Sequence, residues 1–203
     1  MMKMDSVLIP RNTRLILDFL LRNFSEKYSI NRLAEKLNIS VSDTHRVLKK
    51  LERAGIVSCE KIGNGLFYEV NLENREARKI AELIITPRDV NSYAKVYAED
   101  IEGMREYCRA CILFGSILIK GERARDIDVF VVTDKNKVKK VEDFCLELSA
   151  KKGRTVQPLL STKKDLLDNL RKKDDVVLGI LRDGVLLWGE EVIVEAIRHG
   201  KTR

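Results

Sequence analysis

The stretch Phe114-Gly115-Ser116, then a spacer of nine residues, then Asp126-Ile127-Asp128-Val129-Phe130-Val131-Val132, constrains this chain more than any other. An apolar run ending in Gly-Ser, followed by another opening on Asp-x-Asp, reads as two strands joined by a compact connection. Strand side chains alternate with a period of two, so Asp126 and Asp128 share one face. Two like charges side by side on so apolar a strand are costly unless a cation neutralises them. Free backbone N–H groups and a hydroxyl at Gly115-Ser116 suit a phosphate. Together these parts describe a pocket for a metal-bound nucleoside triphosphate, with Asp126 and Asp128 on the metal and Gly115 and Ser116 on the phosphates.

A separate signal occupies residues 1–72. Apolar residues Leu15, Ile16, Phe19 and Leu20 at helical spacing predict a helix over Thr13 to Asn23. Ser29 is placed to cap a short helix, Ile30 to Leu37, and Asn38-Ile39 makes a turn. Ser40 caps a second helix, Val41 to about Ala54, with Asp43 at the capping-box position and Gly55 as its stop. Strands Ile56 to Ile62 and Leu66 to Val70 follow, joined through Gly63-Asn64-Gly65. Projected at about 100° per residue, the Val41–Ala54 helix gathers Thr44, Val47, Leu48 and Leu51 on a core face. Ser42, Arg46, Lys49 and Arg53 gather opposite, flanked by His45 and Lys50. Hydroxyl and guanidinium groups near the helix start suit base edges, and later cations suit phosphates, as a major-groove helix requires.

The residues 29–40 (Ser-Ile-Asn-Arg-Leu-Ala-Glu-Lys-Leu-Asn-Ile-Ser) and 46–57 (Arg-Val-Leu-Lys-Lys-Leu-Glu-Arg-Ala-Gly-Ile-Val) carry a resemblance to the winged helix-turn-helix domains of bacterial and archaeal regulators. The likeness spans about residues 11–71. It implies a wing tip at Gly63-Asn64-Gly65, with Asn64 at the DNA, Lys61 near phosphate, and double-stranded DNA as the partner. Residues 1–72 hold twelve basic and eight acidic side chains, a net of +4. Phosphate neutralisation supplies most of the affinity for DNA, so a homodimer reading two half-sites is expected.

Residues 73–89 read as a connector helix, Glu73 to Ile85, whose stripe of Ala77, Ile80, Ala81 and Ile84 ends before Pro87. It could pack on a partner subunit. Residues 90–203 then alternate helices and short strands. A helix from Val90 to Tyr107 precedes the strand Cys111 to Phe114, and another, with Val138, Val141, Cys145 and Leu148 on one face, follows Val132. A strand over Thr155 to Leu160, a Thr162-capped helix over Lys163 to Arg171, a helix over Val176 to Arg182, a strand over Val185 to Trp188 and a last helix over Glu190 to Arg198 complete it. The fold class is α+β: the N-terminal winged helix-turn-helix plus a C-terminal α/β domain with a short mixed sheet.

Gly115-Ser116, the spacer and Asp126-Ile127-Asp128, with the tail Leu178-Gly179-Ile180-Leu181-Arg182-Asp183-Gly184-Val185-Leu186-Leu187-Trp188-Gly189, make this second domain resemble the DNA polymerase β-like nucleotidyltransferase superfamily, most of all its small minimal members. The resemblance implies Mg²⁺ held by Asp126 and Asp128, a nucleoside triphosphate oriented by Gly115 and Ser116, and metal-assisted phosphoryl transfer. It also implies a third carboxylate on the next strand, and here the chain departs. Thr155-Val156-Gln157-Pro158-Leu159-Leu160 contains no acid, and the neutral amide of Gln157 cannot act as a carboxylate base. Asp165 lies beyond the strand and is a poor substitute. Arg125 stands where the family often has a small Ser, and a cation there can contact phosphate.

The preferred expectation is a DNA-binding transcriptional regulator whose nucleotidyltransferase-fold domain binds Mg-nucleotide without full catalysis. The alternative is an active enzyme moving a nucleoside monophosphate onto a protein or small-molecule hydroxyl, and a third is an interaction module that uses neither site. An exposed, salt-bridged strand end beside Arg123 and Arg125 is the bland reading of Asp126 and Asp128. Lys135, Lys137, Lys139 and Lys140 are read as a solvated face rather than a polyphosphate site. The net charge of +7 over 203 residues favours an anionic partner. No apolar run approaches the roughly 18 residues of a membrane span and no signal-peptide core opens the chain, so the expected location is cytoplasmic. Reduced, buried cysteines fit that compartment, and the lone Cys108-x-x-Cys111 pair, far from His45 and His199, reads as structural.

Overall fold

Pro10 precedes α1 (Arg11–Arg22), and its carbonyl accepts the Arg14 N–H at 3.0 Å, so the helix starts where its fixed φ of −54° leads into it. In this computed structural model residues 9–85 and 90–201 are described, and the chain divides into two compact units, Met1–Ile85 and Thr86–Arg203.

In the first unit α1 buries Ile16, Leu17, Leu20 and Leu21, while Leu15 and Phe19 are only half-buried. The expected stripe is therefore rotated. Leu17 and Leu21 face Ala77, Ala81 and Ile84 of a later helix across one apolar crevice, a neighbour no local spacing reveals. β1 (Tyr28–Ser29) leads into α2 (Ile30–Leu37), where Ser29 Oγ accepts the Arg32 N–H at 3.4 Å. Asn38 turns the chain in the left-handed region, φ 51°. Then comes α3 (Val41–Arg53), capped by Ser40 Oγ on the Asp43 N–H at 3.0 Å. Gly55, at φ 70°, ends it, and its carbonyl takes amide N–H donors from both Asn71 and Asn74 at 3.1 Å. β2 (Val57–Ile62) and β3 (Gly65–Val70) form an antiparallel hairpin in register Val57↔Val70 to Ile62↔Gly65, and β1 adds on the far side of β3. α4 (Arg75–Ile84), the sequence's connector, buries Ala77, Ala81 and Ile84 within this unit.

The second unit starts with α5 (Ser92–Ile101), capped by Asn91 Oδ1 on the Ala94 N–H at 2.9 Å. The single helix expected to Tyr107 instead tightens into a 3₁₀ turn over Glu102–Glu106. Gly103 weakens the α-helix there, and the tighter winding accompanies complete burial of Met104. Strands β4 (Ala110–Phe114), β5 (Asp126–Val132), β6 (Thr155–Ser161) and β7 (Val185–Trp188) lie in the order β6-β5-β4-β7. β5 and β6 are parallel and the other two pairings antiparallel, so the sheet is mixed, as expected. The short helix α6 (Ser116–Lys120) joins β4 to β5, and α7 (Val138–Lys152) is the crossover from β5 to β6. Ile127, Val129 and Val131 turn to a core shared with α5 and with Val141, Cys145 and Leu148 of α7. The cross-strand set Ile112, Phe130 and Leu186 is buried on the opposite face. α8 (Lys163–Arg171) adjoins β6, while α9 (Asp175–Asp183) and α10 (Glu190–Gly200) adjoin β4. Among the described residues no helix is long and apolar enough to cross a membrane.

Candidate functional sites: a basic helix–wing face and an acidic strand end

Helix α3 anchors through Thr44, Leu48 and Leu51, all buried, and the Thr44 hydroxyl donates to the Ser40 carbonyl at 3.0 Å. Val47, expected inside with them, is half-buried at the margin. Ser42, His45, Arg46, Lys50 and Arg53 all reach solvent, and so do Lys61 and Asn64 on the β2–β3 hairpin. Lys49 differs from its neighbours. Its ammonium lies 2.8 Å from Glu52, its side chain is half-buried, and that carboxylate, followed by Tyr68, raises its pKa. Arg46 is strongly exposed but tied to Asp43, whose carboxyl is held below its usual range by Arg46 first and Ser40 second. Asp43, expected in the capping box, also forms an ion pair with Arg46. The i,i+3 spacing of Asp43 and Arg46 encodes this ion pair locally.

In the second unit Gly115 and Ser116 leave the end of β4 beside β5, where Phe114 pairs with Asp128. Gly115 sits at φ 77°, ψ −152°, a conformation reserved for glycine. A Cβ added there would stand 2.2 Å from Asp128 Oδ2, so the carboxylate fills the room a side chain would take. Ser116 Oγ is buried without a hydrogen-bond partner. Asp126 and Asp128 are each half-buried, and neither forms an ion pair among the described residues, Arg123 and Arg125 included. Burial, then the neighbouring Asp126 charge, pushes the Asp128 carboxyl above its ordinary range. The salt-bridged strand end is thus not what forms.

Supporting groups hold this corner. Asn91 Nδ2 donates to the carbonyls of Ile117 at 3.0 Å and Leu118 at 3.2 Å, tying α6 to the start of α5. Arg154 donates to the carbonyls of Ala124 at 3.0 Å and Glu122 at 2.6 Å, pinning the spacer that delivers Asp126. Arg125 is exposed. Across the parallel ladder Asp126 pairs with Thr155 and Asp128 with Gln157, so Gln157 stands beside the second carboxylate on the same face. Asp165 is removed from the question: its carboxylate accepts from the Thr162 backbone N–H at 3.2 Å and hydroxyl at 2.6 Å in a capping box. No three His, Cys, Asp or Glu side chains come together as a metal-ligand group among the described residues. Two carboxylates and an unpartnered hydroxyl suit one hard divalent cation whose other positions come from water or phosphate oxygens.

The cysteines of this unit and two of its lysines have structural surroundings. Cys108, Cys111 and Cys145 are free and buried; burial pushes the Cys108 thiol up to about 12 and Cys145 to about 11. Of the lysine run, Lys137 donates to the Glu106 carbonyl at 2.9 Å and Lys140 lies over the Tyr107 ring.

The first unit is a winged helix-turn-helix DNA-binding domain: the family model described as winged helix-turn-helix DNA-binding matches residues 10–58. That segment runs from the residue before α1 through α2 and α3 into β2. Among solved structures, a double mutant of Lactococcus lactis ZitR in apo form is 14% identical over 70% of this chain and 82% of that one, with a TM-score of 0.30. A second ZitR mutant is 15% identical over 74% and 81%, with a TM-score of 0.31. No curated protein matches the chain.

Proposed function

We propose that this chain is a cytoplasmic, homodimeric, DNA-binding transcriptional regulator whose second unit has a nucleotidyltransferase-type fold and takes Mg²⁺-bound nucleoside triphosphate as a ligand. The DNA-binding part is supported by the solvent-facing set Ser42, His45, Arg46, Lys50 and Arg53, with Lys61 and Asn64 on the wing. Two copies would place two such helices in successive major grooves and add the cations a single +4 domain lacks.

One observation carries the nucleotide part: Gly115, one residue past the end of β4, abuts Asp128 of β5, which pairs with Gln157 of β6. Asp126 and Asp128 would hold the cation, and Ser116 Oγ, with backbone N–H groups near Gly115, would orient phosphate oxygens. Arg125 would add a fixed positive charge. When bound, Mg²⁺ supplies neutralisation of the two carboxylates and of the triphosphate. An acceptor hydroxyl would find no carboxylate base here, because Gln157 is a neutral amide and Asp165 is engaged in its cap. That favours binding over the alternative of nucleotidyl transfer. A regulatory role follows if nucleotide has different affinity for two states of the DNA-binding dimer.

Calorimetric titration of ATP and GTP with Mg²⁺ on the full chain, wild type and Asp128→Asn, tests this reading. Binding that the substitution abolishes is the expected result. Absence of binding in both proteins would reduce the second unit to a scaffold, and identical operator affinity with and without nucleotide would remove the regulatory link.

A further inference from the structure

Lys50, Arg53 and Lys61 on the helix–wing face carry no carboxylate partner among the described residues, as free phosphate-binding cations should not. Arg46 is built differently. Its side chain is 77% exposed, yet Nη2 donates to Asp43 Oδ1. The other oxygen, Asp43 Oδ2, accepts the Ser40 hydroxyl at 3.0 Å, and Ser40 Oγ in turn accepts the Asp43 N–H at 3.0 Å. The carboxylate is therefore held at both oxygens, by the helix cap on one side and the guanidinium on the other. An acid on a face meant for phosphates repels them, so it weakens sequence-independent attraction. Its return is order. A free arginine loses rotamer freedom on binding, whereas a tethered one has lost part of it already.

We infer that Asp43 is a specificity-determining positioning residue of the DNA interface, holding the Arg46 guanidinium at the start of α3 so that it donates two hydrogen bonds to O6 and N7 of one guanine. This rests on the DNA-binding reading above. The first turns of such a helix reach base edges, and the ion pair uses one of the five guanidinium N–H donors. The paired donation to guanine O6 and N7 is the commonest specific contact of arginine in the major groove.

The experiment selects wild type, Asp43→Asn and Arg46→Ala full-length protein on a randomised duplex library, then measures binding to the wild-type consensus substituted position by position. Asparagine keeps an acceptor for the Ser40 hydroxyl while removing the charge. One position is expected to prefer guanine by about tenfold in wild type and to lose that preference in both variants. Affinity of Asp43→Asn for unrelated duplex should equal or exceed wild type. The inference is overturned if Asp43→Asn keeps the guanine preference, if Arg46→Ala selects the wild-type motif, or if Asp43→Asn weakens all sequences equally. A wild type that retains no duplex even at low salt would instead remove the DNA-binding reading, and this inference with it.

Discussion

The backbone of Gly115 and the carboxylate of Asp128 share one space: a Cβ on the first would lie 2.2 Å from Oδ2 of the second. Replacement by alanine would collide with a charged group and hold a non-glycine residue at φ 77°. Gly115→Ala should destabilise the second unit by about 1–3 kcal/mol. Gly115→Ala in an Asp128→Ala background is the control for backbone strain alone, since the added Cβ would no longer meet Oδ2. Thermal unfolding of Gly115→Ala in the wild-type and Asp128→Ala backgrounds checks the difference, and equal losses would mean that the contact adds nothing.

Asp128 also predicts a pH dependence. Its folded-state pKa is raised, by burial first and Asp126 second. The folded state therefore binds its proton more tightly than the unfolded chain, and stability falls as pH rises from the ordinary carboxylate range through the raised value. Asp128→Asn removes that penalty. The variant should be more stable than wild type at neutral pH, with the advantage vanishing below about pH 4, where both states of wild type are protonated. Urea unfolding at several pH values reads this out; an advantage that persists unchanged in acid would contradict it.

Exposed cations and paired ones should separate in their salt behaviour. Lys50→Ala, Arg53→Ala and Lys61→Ala should each weaken binding to all duplexes alike and lower the slope of log affinity against log salt by about one. Lys49→Ala should change the slope less, because Lys49 is half-buried against Glu52. Binding titrations across a salt series decide it.

Asn74 closes the first unit twice over. Its Oδ1 accepts the N–H groups of Glu76 at 2.7 Å and Ala77 at 3.3 Å, and its Nδ2 donates to Gly55 O at 3.1 Å. Asn74→Ala should cost about 1–2 kcal/mol. Denaturant unfolding would show it, and a loss within experimental error would mean that Asn71 alone suffices to satisfy the Gly55 carbonyl.

Much of this architecture is legible locally because its determinants span three or four residues. Ser29, Ser40 and Thr162 each cap the helix expected of them, and Gly55 stops α3 where it must. What escaped local reading involves distant neighbours. The buried arc of α1 shifts because α4 packs beside Leu17 and Leu21. The helix through Glu102–Glu106 tightens where Met104 is buried.

The sequence by itself determined the order of elements, the shared face of Asp126 and Asp128, and the lack of an acid in β6, since alternation and capping are properties of the local backbone. Only the tertiary structure decided that Gly115 gives its missing side-chain volume to Asp128, that Gln157 stands beside that carboxylate, and that Asp165 is spent in a cap. Lateral strand order and side-chain partners depend on which surfaces bury each other across tens of residues, and no periodicity along the chain encodes that choice.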